Sequence, residues 1–522
     1  MPRNIITKAS HVRDKQGRAI LGTAKDVATW VRLGFEEQDK NKSIDDPFYK
    51  HFIDLRGCVL YVSYPIGSKA PSSQIFNLCD LVDIVPGIKK IENDPDYLFE
   101  VTLDIRFDGS LLYGNFFHYV KFDGRVVLDD ATVLGSFSCF KCRFDGYVYM
   151  QKVHLEGGYT FDQCVFNNGL IMSSAIVGGI NAEFNNSTIK ERLSLAAASF
   201  KKQAHSNPIV FRNSNIENLT ISKIKTESIP LYFDNSSIHG MKMDNVQLDG
   251  ILGFYSCILD SVITSIINEG ENLNYIKELA LHNCNIKAQY HIENSNIERI
   301  ALSFDTIEEK GRLRLYRCDV EDFMMGETSV IGQLEMVGNT IATIDLESSC
   351  VPGYLNFQGN DVKTFKNRQT LRMLKNEALK VNDEVSAQHL YAEEMKSLLS
   401  DKDIPLGDKV SLRLNKLFSD FGESWFKALI ITLGFSIILT LFMLGLGSQR
   451  YMYNPTGEFI GIGAFVAILL DSINVFSIPL FSETIKAYEL NVLGQILYLL
   501  IKVLVAYGAY QFIMAFKKHG RK

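Results

Sequence analysis

Glycines at 124, 135, 146 and 157 fall eleven residues apart, Asn168 takes the next place, and Gly179 the one after. Bulky residues keep the same interval at Phe122, Val133, Phe144, Leu155, Phe166 and Val177. Self-similarity at a fixed period specifies stacked units rather than one globular core. Asn follows Gly in its tolerance of positive φ, so a turn is expected at the Gly/Asn positions.

Further along, the phrase becomes NSNIENLTI, NSSIHGMKM, NCNIKAQYHI, NSNIERIALS and GNTIATIDL, and its apolar anchor steps through Ile216, Ile238, Leu259, Ile286, Ile297, Val320, Ile341 and Val362. Most steps are 21 to 23 residues; the irregular ones, 27 and 11, bracket INEGENLNYIKE, which reads as an inserted loop plus a half-coil. Short alternating strands, Asn/Gly corners and a period near 22 together predict a parallel β-solenoid over residues 96–365.

This phase accounts for the thiols. Cys142 and Cys164 stand one coil apart, each two residues before a phenylalanine anchor, and Cys284 and Cys318 keep the same offset from Ile286 and Val320. Cys is small and readily buried, so it suits an inward ladder position. Cys139 and Cys142 have the spacing of half a zinc site, but no matching second pair completes four ligands, so no metal is expected.

A solenoid recognises partners through its outer faces. In KGRLRLYRCDV, alternation buries Leu313 and Leu315 and leaves Arg312, Arg314 and Tyr316 outward, with Arg317 following. Guanidinium forks beside an aromatic ring suit phosphates and a stacked base. The alternative is a strand face neutralised by acids such as Glu308 and Glu309. A net charge of −6 excludes a generally basic nucleic-acid coat, though not a local strip.

Residues 1–95 do not follow the repeat and are expected to form a cap containing an amphipathic helix at AKDVATWVRLGFEEQ. The amino terminus has no secretory-signal pattern, so the soluble part is expected in the cytoplasm. Residues 366–424 change period: Leu371, Leu374, Ala378, Val381, Val385, Ala392, Met395 and Leu398 recur at threes and fours, predicting an amphipathic connector. A second amphipathic piece, KVSLRLNKLFSDFGESW, leads into an apolar carboxyl-terminal domain, 425–522.

Ala428 to Gly447 is twenty residues without a charge, long enough at about 1.5 Å each for a bilayer core. Val492 to Phe516 is also long enough, with Lys502 the only charge in it. Between them, Phe459 to Leu470 gives only twelve apolar residues before Asp471, Ser472, Asn474, Ser477 and Pro479. A run so short fits a re-entrant helix with a polar return, which is tolerated only where it lines water or is buried in protein. The basic tail KKHGRK favours an even number of crossings, with both termini cytoplasmic. Lys502 lies about 15 and 21 Å from the ends of its span, too deep for a side chain of about 6 Å to snorkel. It is therefore expected either to pair with Asp471 or to line a pore.

The stretches LNKLFSDFGESWFKALIITLGF and LNVLGQILYLLIKVLVAYGAYQFIMAFKK resemble the carboxyl-terminal ion-channel-like domain found behind β-helical or pentapeptide-type repeats in bacterial membrane proteins. That resemblance implies a homotetrameric pore on the potassium-channel plan, with Asp471, Ser472, Asn474, Ser477 and Lys502 at the conduction path and residues 471–479 forming the filter. Nothing reads TVGYG, so potassium selectivity is not implied.

The whole architecture is similar to inner-membrane effectors of bacterial anti-phage defence of the Hailong type. This likeness implies a channel controlled by a nucleotide or single-stranded DNA oligomer, made by a partner nucleotidyltransferase and bound on the solenoid, with growth arrest on opening. Arg312, Arg314, Tyr316 and Arg317 are compatible with such a ligand. No cofactor motif, phosphate loop or nucleophile elbow appears, so catalysis is not expected. The competing readings are a membrane-anchored scaffold without conduction and a housekeeping gated channel.

Overall fold

A computed structural model describes residues 13, 16, 18–21, 24–40, 52–56, 58–61, 85–92, 94–113, 117–178, 181–200, 208–226, 228–264, 274–401, 403–447, 465–466, 469–471, 473–474 and 492–519. The chain divides into two units, Met1–Thr364 and Phe365–Lys522.

The first unit is a parallel β-solenoid of about 11 turns with about 22 residues per coil. Among the described residues its strands form two sheets, of 20 and 21 strands, whose pairs are parallel apart from Ile88–Lys90 against Phe99–Val101. Each coil has two left-handed corners, because a residue in the left-handed region recurs about every eleven positions: Tyr119, Asp130, Lys141, Lys152, Gln163 and Ser174, with φ between 49° and 61°. The residue after each corner points inward, as Cys142, Val153, Cys164 and Ala175 do.

The glycine spacing marks a second set of turns: the chain bends at Gly124, Gly135, Gly146, Gly157 and Asn168, but positive φ is not the general reason. Of the spaced glycines that are described, only Gly135 has positive φ, at 94°. Asn168 is not left-handed, whereas its neighbour Gly169 has φ 111°. Gly124, Gly146 and Gly157 are required for a different reason. A Cβ at Gly146 would run into the Gly124 carbonyl of the coil before, and one at Gly157 into Gly135. The period is therefore that of close backbone stacking, while Asp, Lys, Gln and Ser accept the left-handed corners. Gly179 lies outside the described residues.

The anchors Phe122, Val133, Phe144, Leu155, Phe166 and Val177 are all buried. Phe122, Phe144 and Phe166 stack ring on ring at 5.0 and 4.8 Å, the spacing of adjacent strands. A second stack, Phe161, Phe184, Phe211, Phe233 and Phe254, runs up the other sheet with centroids 4.7 to 5.1 Å apart. The later anchors change sheets where the step is eleven. Ile216, Ile238, Leu259 and Ile286 are in register on one sheet; Ile297, Val320 and Ile341 are in register on the other.

Corner polar groups are satisfied by the neighbouring coils. Ser214 Oγ donates to Phe184 O at 3.2 Å and accepts from Ser187 N at 3.3 Å, while Ser236 Oγ donates to Phe211 O at 3.1 Å. Thiols fill the same niche: Cys142 Sγ donates to Phe117 O at 3.2 Å and Cys284 Sγ to Phe254 O at 3.2 Å. Burial pushes the Cys142 and Cys164 thiols well up, away from thiolate chemistry. Outside the corners, Asn186, Asn213 and Asn235 form a surface ladder of amide hydrogen bonds at 3.1 and 2.7 Å.

Residues 1–95 contain helix α1, Ala24–Lys40, with Val27, Trp30 and Val31 buried, and strands Ala19–Leu21, Phe52–Asp54 and Cys58–Tyr61. These strands extend the parallel ladders at their start, Phe52–Asp54 pairing with Asp104–Arg106 and Cys58–Tyr61 with Leu111–Tyr113.

The second unit is helical: α2 (Arg368–Lys380), α3 (Glu384–Ser400), α4 (Leu406–Ser419), α5 (Trp425–Gly447) and α6 (Val492–His519). The connector period runs through a break. Asn382 is left-handed at φ 58°, and Val381 and Val385, expected on the apolar stripe, are exposed on either side of it. Two caps define the helices it separates, since Asn367 Oδ1 accepts from Thr370 N at 2.8 Å and Asp383 Oδ1 from Ser386 N at 3.0 Å.

Candidate functional site

Helices α5 and α6 are long and apolar enough to cross a membrane. They pack antiparallel: Trp425 meets Phe512 and Phe516 at 6.1 and 6.0 Å, whereas Met443, nearer the other end of α5, clusters with Tyr498, Ile501 and Val505. Midway, Gly508 lets the two backbones approach, because a Cβ there would collide with the Thr432 side chain. Helix hydroxyls are satisfied locally, Thr432 Oγ1 donating to Ala428 O at 2.6 Å and Ser436 Oγ to Thr432 O at 2.7 Å. The outward sides are apolar; Ile430, Ile438, Leu441, Ile496 and Val503 are each at least half exposed.

Lys502 faces inward on α6 and is 7% exposed. Of the segment 459–481, residues 465, 466, 469–471 and 473 are described as helical, and Asn474 N closes on Leu470 O at 3.1 Å. The Lys502 ammonium donates to the carbonyl oxygens of Asp471 and of Asn474, the latter at 2.6 Å. A helix leaves its last four carbonyls without intrahelical partners and carries partial negative charge there, so a cation completes it. Tyr498, one turn before Lys502, donates its hydroxyl to Asp471 Oδ2 at 2.6 Å and holds its ring 5.2 Å from the ammonium. Asp471 is thus reached through both backbone and carboxylate.

The structure therefore brings Asp471, Asn474 and Lys502 together. Ser472 and Ser477 lie outside the described residues. Tyr498 is the member that sequence reasoning missed. Its signal was the four-residue spacing to Lys502 in LYLLIKV, which places both on one helix face.

The connector helices are tied to the start of this hairpin. Between α4 and α5 the chain reverses through three left-handed residues, Asp420, Phe421 and Gly422, with φ 52°, 59° and 85°. From α3, Gln388 Nε2 donates to Phe421 O at 2.6 Å and His389 pairs with Glu423 at 2.7 Å. Helices α2 and α3 are joined by the buried Glu394, which accepts from Arg372 at 2.6 Å and Lys375 at 2.7 Å. Burial alone would raise the Glu394 carboxyl, but the two cations outweigh it and hold it below the ordinary value.

On the solenoid, strand Arg312–Tyr316 alternates as expected, with Leu313 and Leu315 inside and Arg312, Arg314 and Tyr316 outward. The acids that meet these arginines come from adjacent coils rather than from Glu308 and Glu309. Arg312 bonds Gln333 at 2.8 Å and lies 3.8 Å from Glu335; Arg314 lies 3.5 Å from Glu335 and 3.9 Å from Glu293. Strand register decides this, since Arg314 stands between His291 and Glu335. The Tyr316 ring is also engaged, by the Arg314 and Arg317 guanidiniums at 5.0 and 4.9 Å. An anionic ligand here must compete with two carboxylates. Among the described residues, no cluster of His, Cys, Asp and Glu is arranged to hold a metal ion. No family model, curated protein or solved structure matches the chain.

Proposed function

We propose that this chain is a membrane conductance effector, in which the β-solenoid receives a stimulus and the connector helices pass it to a pore built around α5 and α6. The observation that carries this reading is the Lys502 ammonium on the Asp471 and Asn474 carbonyls. Interrupted helix at membrane depth needs protein partners for its free carbonyls, and transport paths are where such interruptions are kept. A simple anchor has no use for a buried lysine that costs about 3 kcal/mol to insert. In this reading the antiparallel hairpin keeps the connector and the basic tail on one side, the cytoplasmic side of a bacterial inner membrane.

The connector supplies a mechanical route. Glu394 fixes α2 to α3, and Gln388 and His389 fix α3 to the turn entering α5. A ligand shifts such a system only by its differential affinity for the open and closed states.

The test is ion flux from vesicles containing the purified chain. Lys502→Met is expected to change ion preference or abolish flux, while Lys502→Arg retains part of it. Unaltered flux in Lys502→Met, or no flux from the parent under any stimulus, defeats the reading; the latter leaves the scaffold. Four subunits, the anti-phage role, and control by a single-stranded DNA oligomer from a partner nucleotidyltransferase rest on sequence resemblance alone. Extraction of the purified complex for nucleic acid tests that part separately, and absence of nucleotide removes the oligonucleotide while leaving the conductance claim.

A further inference from the structure

Helix α4 carries an apolar stripe that nothing described in the chain covers. Leu406, Val410, Leu414 and Leu417 recur at four, four and three residues, on one helix face, and are between 37% and 81% exposed. Their neighbours along one edge of that stripe are Lys409, Arg413 and Lys416, again one turn apart. Neither Arg413 nor Lys416 is held in an ion pair among the described residues. The helix's acid, Asp408, is on the far side, lining a cleft of about 420 Å³ with Arg368, Asp401 and Asp403. Apolar and basic groups are thus gathered on one side and the acid is kept off it.

Position decides what covers the stripe. The carboxyl end of α4 is fixed to the hairpin: Phe418 packs edge-on to Tyr507 at 5.2 Å, Ser419 Oγ donates to Gln511 at 2.8 Å, and Lys427 Nζ reaches Lys416 O at 3.1 Å. The Ser419 and Lys427 contacts lie near the end of α5 and α6 where Trp425 meets Phe512 and Phe516, the kind of aromatic end that sits at a headgroup layer, while Phe418 reaches further along the hairpin, to Tyr507 and to Phe435 at 5.9 Å. The stripe therefore ends, at Leu417, beside the entry to the hairpin. A second copy of the chain placed there would have to bury Arg413 and Lys416 or find acids for them, whereas anionic lipid supplies a partner for both surfaces at once.

We propose that α4 lies along the headgroup layer of an anionic bilayer, with Leu406, Val410, Leu414 and Leu417 in the acyl boundary and Arg413 and Lys416 on lipid phosphates. This rests on α5 and α6 crossing a membrane. At about 21 Å, α4 is long enough to act as a surface float between the connector and the first span.

The experiment places single additional tryptophans in the full chain, reconstituted in vesicles of phosphatidylcholine and phosphatidylglycerol with brominated acyl chains. Emission is read as the difference from the parent, which contains Trp30 and Trp425. Leu414→Trp and Leu433→Trp are expected to be quenched, and Asp408→Trp, on the far side of α4, several-fold less. Quenching at 433 with 414 no stronger than 408 overturns the inference and points to a protein cover; no quenching at 433 overturns the membrane reading itself. Quenching of Leu414→Trp is expected to rise with the phosphatidylglycerol fraction, and Arg413→Gln with Lys416→Gln to remove that rise. A rise unchanged by the double substitution overturns the phosphate contacts.

Discussion

The solenoid and the helical hairpin solve the same problem, the satisfaction of buried polar groups, in opposite ways. In the solenoid the polar corners are served by groups one coil away. Ser187, Ser214 and Ser236 repeat one pattern, and Cys142, Cys164, Cys257 and Cys284 use the same niche with sulfur. In the hairpin, the Asp471 and Asn474 carbonyls are served by one lysine 31 and 28 residues away, and no second copy of that arrangement is described. Repetition spreads risk over many weak equivalents, whereas the membrane unit concentrates it in a few side chains.

If this contrast holds, damage to the solenoid should remain local. Phe211 stacks between Phe184 and Phe233 at 4.7 and 4.8 Å, and Phe211→Ala is expected to cost about 3–5 kcal/mol. Because repeats couple only to neighbours, hydrogen exchange should accelerate in the coils around residues 184–254 and not across the unit. Exchange accelerated evenly over all coils would break the comparison.

One corner carries a carboxyl group and sharpens the comparison. Asp305 fills the niche that Ser, Cys or Asn fills in other coils, accepting from Cys284 N at 2.6 Å and Ser303 N at 2.8 Å. Burial outweighs those donors and pushes its carboxyl up to about 7. A carboxyl with a folded pKa above its unfolded value binds the proton more tightly when folded. Its contribution is present below about pH 4 and is lost as pH rises towards 7, amounting to at most about 4 kcal/mol. Asn339 shows that an amide fits the equivalent place, accepting from Cys318 N at 2.9 Å. Asp305→Asn is expected to raise the melting temperature at pH 8, with the gain shrinking towards pH 4. An equal gain at both pH values would show that ionisation is not its cause.

The connector is expected to respond with the opposite pH sign. Glu394 is held low by Arg372 and Lys375, so its contribution is present above the unfolded carboxyl value and disappears as pH falls through the folded one. Glu394→Ala is expected to cost about 1–3 kcal/mol at pH 7. The difference from the parent should narrow in acid, followed by helix circular dichroism of the full chain.

The smallest expected effect concerns the corners themselves. Phe304 is exposed and left-handed at φ 57°, where Asn stands at corners such as 213 and 235. Phe304→Asn is expected to gain about 1 kcal/mol by relieving that backbone conformation. A loss measured by urea unfolding would assign Phe304 a packing role against His282, whose ring is 5.5 Å away.

The sequence by itself determined the coil and its length, because a strand that must stack on its predecessor repeats its inward residues at the period of the coil. Phe122, Phe144 and Phe166 carry that period openly, and the second stack from Phe161 to Phe254 was equally available in the spacing. It also determined the two apolar helices and the anomaly of Lys502. It placed turns at the glycines but missed the left-handed corners between them, since close backbone stacking and positive φ both select glycine and only the backbone separates them. Tertiary structure alone decided which acids meet Arg312 and Arg314 and what meets Lys502. Those partners are set by strand register and helix packing between residues distant in the chain, and no local pattern encodes a contact whose two halves are specified independently.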